Sequence, residues 1–277
     1  MRALFTIVVS FAVVGCGQKQ SDPTVVSHTH AARDKKQDSH SEGDHAGHKA
    51  VLSNINLQTR EGLKAGTTSQ LRFTIPDAQG KPIKMFAVTH DAKVHFILIR
   101  NGLDQFAHLH PDLDPATGTL TTDYAFPLGG TYHLFADYQE PGQMMMTATA
   151  RVEVVGDTPV ATELKPDVPG LLKGNGIEAK VSIEGAKPGA EAKVRFEVLD
   201  GGKPVTDLEP YMGAMGHLVV VSADAKQYVH AHPVEMADAK NVVTFGAAFP
   251  ATGVYKGWGQ FKRGGQVRIV PFVVKID

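Results

Sequence analysis

The chain has 277 residues, 42% hydrophobic and 21% charged, which suits one large or two average globular domains and excludes disordered and membrane-bundle classes. Its 28 basic residues balance 29 acidic ones, so the formal charge of −1 provides no electrostatic footprint for nucleic acid. A single cysteine excludes intramolecular disulfides, cysteine zinc sites and iron–sulfur clusters, which leaves the 13 histidines as the main chemical resource.

Residues 1–15 are predicted to be a lipoprotein signal peptide. Arg2 precedes an apolar run over 3–14, which is too short to span a bilayer. Cys16 follows Val-Val-Gly, and this resembles the lipobox of bacterial lipoproteins. The resemblance implies that Cys16 is lipidated and starts the mature protein. Because Gly17 rather than Asp follows, it further implies anchoring in the outer membrane, facing the periplasm, with exposure at the cell surface left open.

Residues 16–55 are predicted to form a disordered tether. The segment is mostly polar and cannot bury enough apolar surface to offset its ordering entropy. A His-rich tract of this kind is typical of a loose metal-collecting segment. Its histidines are His28, His30, His40, His45 and His48.

The rest of the chain is a duplication, since residues 57–156 match residues 177–277 with one deletion and one insertion. We therefore predict one repeat over 56–156, a linker with three prolines over 157–170, and a second repeat over 171–277. The matched residues include His95, His108 and His110, which fall on His217, His230 and His232.

Each repeat is predicted to be an antiparallel β-sandwich of immunoglobulin-like or cupredoxin-like type, so that the fold class is all-β. Short apolar or alternating runs recur between Gly, Pro and Asp turns, and no helical period is found. In the first repeat they cover 69–76, 94–100, 105–110, 119–126, 131–138 and 147–155. Tyr132 and Tyr255 are interpreted as tyrosine corners of the two sandwiches.

A hairpin should bring three histidines of each repeat together. The Asn-Gly turn after Arg100 is expected to pair that residue with Gln105, which places His95 opposite His110 and diagonal to His108. The three imidazoles then project from one face. The same construction around the 223–226 loop groups His217, His230 and His232. Whether this face points to a core or to a rim stays open.

Clustered imidazoles favour zinc, copper or nickel over calcium or magnesium. Met212 and Met215 stand just before His217 and add soft thioether sulfur, which favours Cu(I). Copper is therefore the predicted ion, with zinc or nickel as alternatives. Accessory ligands could come from the tether histidines and from His90, Met144, Met145 and Met146. The competing interpretation is that the histidines are structural and hydrogen-bonded to backbone.

The segments His217, His230-Ala-His232-Pro, Phe249-Pro and Tyr255 resemble a module of exported bacterial proteins that accompany copper and heavy-metal handling systems. The resemblance implies metal buffering, resistance or delivery, with a metal efflux or acceptor protein as partner. A blue-copper centre is not expected, because the only cysteine lies in the lipobox. Without a nucleophile elbow or nucleotide loop, we do not expect an enzyme. The alternative function is a scaffold or surface-interaction lipoprotein.

Overall fold

The computed structural model describes residues 52–236 and 240–277. The predicted signal peptide, Cys16 and the tether histidines His28, His30, His40, His45 and His48 lie outside the described residues. No helix in the described residues is long and apolar enough to cross a membrane.

The first repeat is a β-sandwich of two sheets, with strand orders β1-β9-β8-β4-β5 and β2-β3-β7-β6. Its pairs are antiparallel except β1 with β9, which run parallel. The strands are β1 (Leu52–Asn54), β2 (Asn56–Leu57), β3 (Thr68–Thr74), β4 (Val94–Arg100), β5 (Phe106–Leu109), β6 (Asp112–Asp114), β7 (Thr119–Ala125), β8 (Gly130–Gln139) and β9 (Met145–Val154).

The second repeat has the same construction, with sheets ordered β15-β14-β18-β19 and β10-β11-β12-β17-β16, and with β13 paired to β12. Its strands are β10 (Gly170–Lys173), β11 (Glu178–Glu184), β12 (Glu191–Asp200), β13 (Lys203–Pro204), β14 (His217–Ser222), β15 (Tyr228–Ala231), β16 (Pro233–Met236), β17 (Val242–Ala248), β18 (Gly253–Arg263) and β19 (Gln266–Ile276). The described part of the chain is therefore all-β, as predicted.

The strand predictions are close to the observed bounds. β4 coincides with the predicted run 94–100, and the other predicted strands of the first repeat differ by one or two residues at their ends. Strand β1 and Ile55, which is 3% exposed, lie within the stretch assigned to the tether. They are ordered because β1 pairs with β9 and Ile55 packs in the apolar core.

Both faces of β4 are buried, which explains why its sequence shows no polar alternation. Val94, Phe96 and Leu98 face the core of their own sandwich, and Ile97 and Ile99 point the other way into a separate apolar cluster. Since alternate residues of a strand share a face, the second set marks a sheet covered by another layer.

That second layer is the other repeat. The cluster combines side chains from both repeats: Ile97, Ile99, Leu103, Phe135, Val219, Val221, Ala225 and Trp258. Two aromatic pairs cross it, Phe106 stacked on Trp258 with ring centroids 4.8 Å apart and Phe135 stacked on Tyr228 at 4.3 Å. Because the duplication relates Phe106 to Tyr228 and Phe135 to Trp258, the repeats meet through an approximate twofold, like the subunits of a symmetric dimer. We call this surface the inter-repeat interface.

Hydrogen bonds and apolar contacts hold the linker against the repeats. The buried Arg100 guanidinium donates to Gly129 O at 2.7 Å and to Pro159 O at 2.9 Å, and it pairs with Asp104 at 2.8 Å. Leu164 of the linker packs against the apolar cluster of the inter-repeat interface.

Both predicted tyrosine corners are confirmed. Tyr132 Oη donates to Leu128 O at 2.9 Å and Tyr255 Oη donates to Ala251 O at 2.8 Å. Each phenol thus closes the turn that leads into β8 or β18, the strand that pairs with β4 or β14.

Candidate metal centre

The predicted hairpin registers are confirmed in both repeats. Arg100 N donates to Gln105 O, and Ile97 pairs with His108. In the second repeat Ser222 N donates to Gln227 O, and Val219 pairs with His230. The predicted register therefore brings three histidines together at the same end of each hairpin.

The two groups are His95, His108 and His110, called the first site below, and His217, His230 and His232, called the second site. In each group one nitrogen per ring lies within 4.8 Å of the others. His95 is 1% exposed and His217 is fully buried. Each precedes the residues of its strand that build the inter-repeat interface, so the histidines face neither an isolated core nor an open rim.

The two sites adjoin each other across the interface. The ring centroids of His95 and His230 are 5.2 Å apart, as are those of His108 and His230, and His95 is 5.9 Å from His217. Six imidazoles from the two repeats thus form one compartment, whereas the sequence indicated one group of three in each repeat.

Neighbouring carbonyl groups determine which nitrogens of the first site carry lone pairs. His95 Nε2 lies 3.1 Å from Thr89 O, and His108 Nδ1 lies 3.1 Å from Gln260 Oε1. Since these oxygens only accept, both nitrogens donate. The remaining nitrogens, His95 Nδ1 and His108 Nε2, then face each other with lone pairs at 3.0 Å, and His110 Nε2 is 3.3 Å from His95 Nδ1. Metal–nitrogen bonds of about 2.0–2.1 Å at a tetrahedral centre place ligand nitrogens about 3.3 Å apart, so these separations suit a shared cation.

The second site repeats this arrangement. His217 Nε2 donates to Tyr211 O at 2.9 Å, and His230 Nδ1 donates to Asp137 Oδ2 at 2.8 Å. The opposite nitrogens, His217 Nδ1 and His230 Nε2, are buried without a hydrogen-bond partner in the described part of the chain, and so is His232 Nε2. Buried polar atoms are normally paired, because leaving one unpaired costs about 1–3 kcal/mol. Each of these three histidines also offers one ring nitrogen to a group that spans no more than 4.8 Å, so the three residues are candidates for a common ligand.

Burial keeps these imidazoles neutral, which is the form that binds metal. Desolvation lowers the pKa of His110 and of His217 to about 4. Desolvation also lowers the pKa of His95, and it lowers those of His108 and His230 much further, with added repulsion from the surrounding rings. A cation therefore does not have to displace protons near neutral pH.

Two residues that the sequence did not single out complete the centre. Gln260 of the second repeat accepts from His108 of the first site, and Asp137 of the first repeat accepts from His230 of the second site. Asp137 pairs with His95 across β8 and β4, and Gln260 pairs with His217 across β18 and β14. They are equivalent positions of the duplication, so aligning the repeats with a β4–β8 pairing could have found them.

Asp137 is buried, and two hydroxyl groups donate hydrogen bonds to its carboxylate. Thr147 Oγ1 donates to Oδ1 at 2.6 Å, and Tyr228 Oη donates to Oδ2 at 2.6 Å. Burial raises the Asp137 pKa to about 6, against the opposing effect of these hydrogen bonds. The group is therefore ionised near neutral pH and adds one negative charge to a compartment of neutral imidazoles.

The accessory residues divide into those near the centre and those elsewhere. The His90 ring stacks on His232 with centroids 3.6 Å apart. Its equivalent Met212 has the same left-handed backbone conformation, with φ of 51° against 49° for His90. The next residue, Gly213, lies so close to the His90 loop that a Cβ there would be 3.4 Å from His90 Cα. Met215 packs against the core of the second sandwich and Met146 against that of the first, while Met144 is 63% exposed. Met145 begins β9 and is half-buried. The side chains of Met215 and Met146 thus contribute to the packing of the two cores.

Fold and site together define a duplicated β-sandwich protein with an imidazole-rich centre between its repeats. The chain belongs to the family described as Domain of unknown function (DUF8832), which it matches over residues 49–156 and 173–277. No curated protein matches the chain.

Solved structures with a similar chain trace include adhesins and immunoglobulin-like proteins. FdeC, an Escherichia coli adhesin, is 13% identical over 81% of this chain and 64% of its own, with a TM-score of 0.26. The tetra-tandem repeat from the extending region of a large adhesion protein is 10% identical over 82% of this chain and 49% of its own, with a TM-score of 0.28. The chain spans less than two thirds of either structure, and at these TM-scores the likeness carries no functional argument.

Proposed function

We propose that the protein binds transition metal ions, copper in particular, at the first and second sites between its repeats. The observation that carries the proposal is a set of three buried nitrogens of the second site that have no hydrogen-bond partner among the described residues: His217 Nδ1, His230 Nε2 and His232 Nε2. The other ring nitrogens of His217 and His230 each donate to an oxygen, which leaves the lone pairs of His217 Nδ1 and His230 Nε2 available to a ligand. A purely structural histidine would use both nitrogens in hydrogen bonds.

Copper is proposed because the donors are neutral imidazoles. Nitrogen ligands bind divalent first-row ions in an order that peaks at copper, and a three-imidazole set also suits the low coordination numbers of Cu(I). Zinc and nickel fit imidazole too and are the competing cargo ions.

We further propose that the chain acts as a binding protein rather than an enzyme. Lipidation at Cys16 would anchor it in the outer membrane, facing the periplasm, with the His-rich tether collecting ions near the folded repeats. In that setting it would buffer copper or pass it to an efflux or acceptor protein, because a ligand set without thiolate allows exchange.

Calorimetric unfolding with and without metal tests the proposal. The assay uses the full chain with His28, His30, His40, His45 and His48 replaced by asparagine, so that only the folded repeats report. An ion present at 100 times its Kd stabilises the folded state by about 2.7 kcal/mol per site. We expect copper to raise the melting temperature. The His217→Ala/His230→Ala/His232→Ala variant, which removes one of the two sites, should lose about half of that increase.

The matched control is His133→Gln, which alters a buried histidine of β8 outside both sites. It should keep the full copper response. If no metal raises the melting temperature, metal binding is wrong and the scaffold function takes its place. If the chain isolated from cells supplied equally with copper, zinc and nickel carries zinc or nickel in elemental analysis, copper as the cargo is wrong.

A further inference from the structure

The two sites share a ligand set but differ in the residue that holds the second imidazole. His108 of the first site donates to the neutral amide of Gln260, whereas His230 of the second site donates to the carboxylate of Asp137. Both acceptors are buried, Gln260 at 1% and Asp137 at 5% exposure, so solvent screens neither interaction strongly. The duplication has therefore produced two chemically distinct sites.

We propose that Asp137 makes the second site the tighter of the two for divalent cations, an inference that rests on the proposed function. Asp137 is a positioning residue: it lies in the first repeat, does not belong to the ligand group of either site, and acts on the second site through His230.

The physical reason is charge at short range. A carboxylate that accepts from the far nitrogen of a metal-bound imidazole makes the near nitrogen more basic and holds the ring in its ligating tautomer. It also places one negative charge opposite the arriving ion in a compartment of low dielectric. Gln260 can hold the tautomer of His108 but supplies no charge, and its Nε2 is buried without a partner in the described residues.

The contacts of Asp137 support this role over a purely structural one. Thr147 Oγ1 and Tyr228 Oη donate to the Asp137 carboxylate, and His230 Nδ1 lies 2.8 Å from Oδ2. Burying a carboxylate is costly, and a cation bound by His230 would relieve that cost.

A second difference between the two sites, the residue that stacks beside the third histidine, also favours tighter binding at the second site. His90 stacks on His232 of the second site with ring centroids 3.6 Å apart, whereas the repeat-equivalent residue is Met212. The second site thus has an additional imidazole beside it and the carboxylate of Asp137 behind it, both of which favour a divalent ion of intermediate hardness.

Isosteric exchanges at the two acceptors test the inference. Zn(II) binding to the full chain, again with the tether histidines replaced, is measured by competition with a chromophoric chelator, and Co(II) absorption reports the ligand field. The His110→Ala background isolates the second site and the His232→Ala background isolates the first. We expect Asp137→Asn to weaken Zn(II) binding 10- to 100-fold in the His110→Ala background and to leave the His232→Ala background unchanged.

The converse variant is Gln260→Glu, which adds the carboxylate behind His108. It should strengthen Zn(II) binding about tenfold in the His232→Ala background and shift the Co(II) spectrum of the first site. A residue that only supported the fold could not produce this gain. Since Gln260→Glu is independent of Asp137, it keeps the inference testable if Asp137→Asn impairs folding.

The outcomes separate this inference from the proposed function. A parent chain that binds no Zn(II), Co(II) or copper overturns the proposed function itself. Two ions bound with equal affinity, an equal effect of Asp137→Asn on both sites, or no gain from Gln260→Glu overturns the role of Asp137 alone. Tyr228→Phe removes one hydrogen bond but keeps the carboxylate, so the second site should remain the tighter one.

Discussion

Removing the Phe135 side chain should weaken metal binding although this ring is not a ligand. Phe135 is 5% exposed and stacks on Tyr228 at 4.3 Å with an interplanar angle of 6°. Truncating a buried phenylalanine costs about 3–5 kcal/mol, of which the stack supplies roughly 0.5–1.5 kcal/mol. The same Tyr228 donates to Asp137 Oδ2 at 2.6 Å, next to the hydrogen bond from His230. A loosened Tyr228 therefore disturbs the support of the second site as well as the inter-repeat interface.

The assay is differential scanning calorimetry of Phe135→Ala combined with a copper titration of the folded protein. For a protein of this size, 3–5 kcal/mol corresponds to a melting temperature roughly 10 °C lower. Phe73→Ala is the control, because Phe73 stacks on Phe96 at 4.5 Å inside the first sandwich and outside the interface. It should lower stability by a similar amount and leave the copper affinity of the folded state nearly unchanged. An unchanged copper affinity in Phe135→Ala would refute the idea that docking of the repeats holds the sites in place.

Two further predictions concern the free energy of unfolding, first of the metal-free protein as the pH changes and then of variants at the tyrosine corners. Its free energy of unfolding should fall as pH drops from 6.5 towards 4, because unfolded histidines take up protons below about 6.5 while folded His110 and His217 do so only near 4. Each histidine lowers the free energy of unfolding by at most ~1.4 kcal/mol per pH unit. Asp137 acts in the opposite direction, because its pKa is raised to about 6 in the folded state and the folded protein therefore takes up this proton before the unfolded chain does. It offsets the contribution of one histidine. Urea unfolding with chelator at pH 7 and pH 5.5 measures this, and equal stabilities would contradict it. Separately, Tyr132→Phe and Tyr255→Phe should each cost about 1 kcal/mol in urea unfolding by removing one hydrogen bond, and an altered copper affinity in either would contradict a purely structural corner.

The local features of the fold were predictable because they rest on short-range rules. The Asn-Gly turn after Arg100 determines the register of β4 with β5, and the register in turn determines which histidines share a face. The same argument applied to the second repeat, so both three-histidine groups followed from turn chemistry and strand geometry.

The packing of the two repeats against each other was not predictable in this way. A strand with two apolar faces indicates that something covers the second face but does not say what does. Asp137 and Gln260 were missed for a related reason: each lies on a strand distant in sequence from the histidine it supports, and it supports a histidine of the other repeat. The spacing of Met215 from His217 suggested a ligand, and the structure adds that its side chain packs against the core of the second sandwich.

The crossed arrangement would link the proposed metal binding to the docking of the repeats. Each site takes its three histidines from one hairpin, but the acceptor that orients His108 or His230 comes from the opposite repeat. An undocked repeat would therefore keep its histidines and lose the group that directs one of their lone pairs. Linkage is reciprocal: if docking of the repeats increases the metal affinity, a bound metal stabilises the inter-repeat interface by the same free energy. Duplication within one chain keeps the two repeats at high effective concentration, and it also allows equivalent positions to differ, as Asp137 and Gln260 do. A symmetric dimer of single repeats could form the same six-imidazole centre, but its two sites would be forced to be identical.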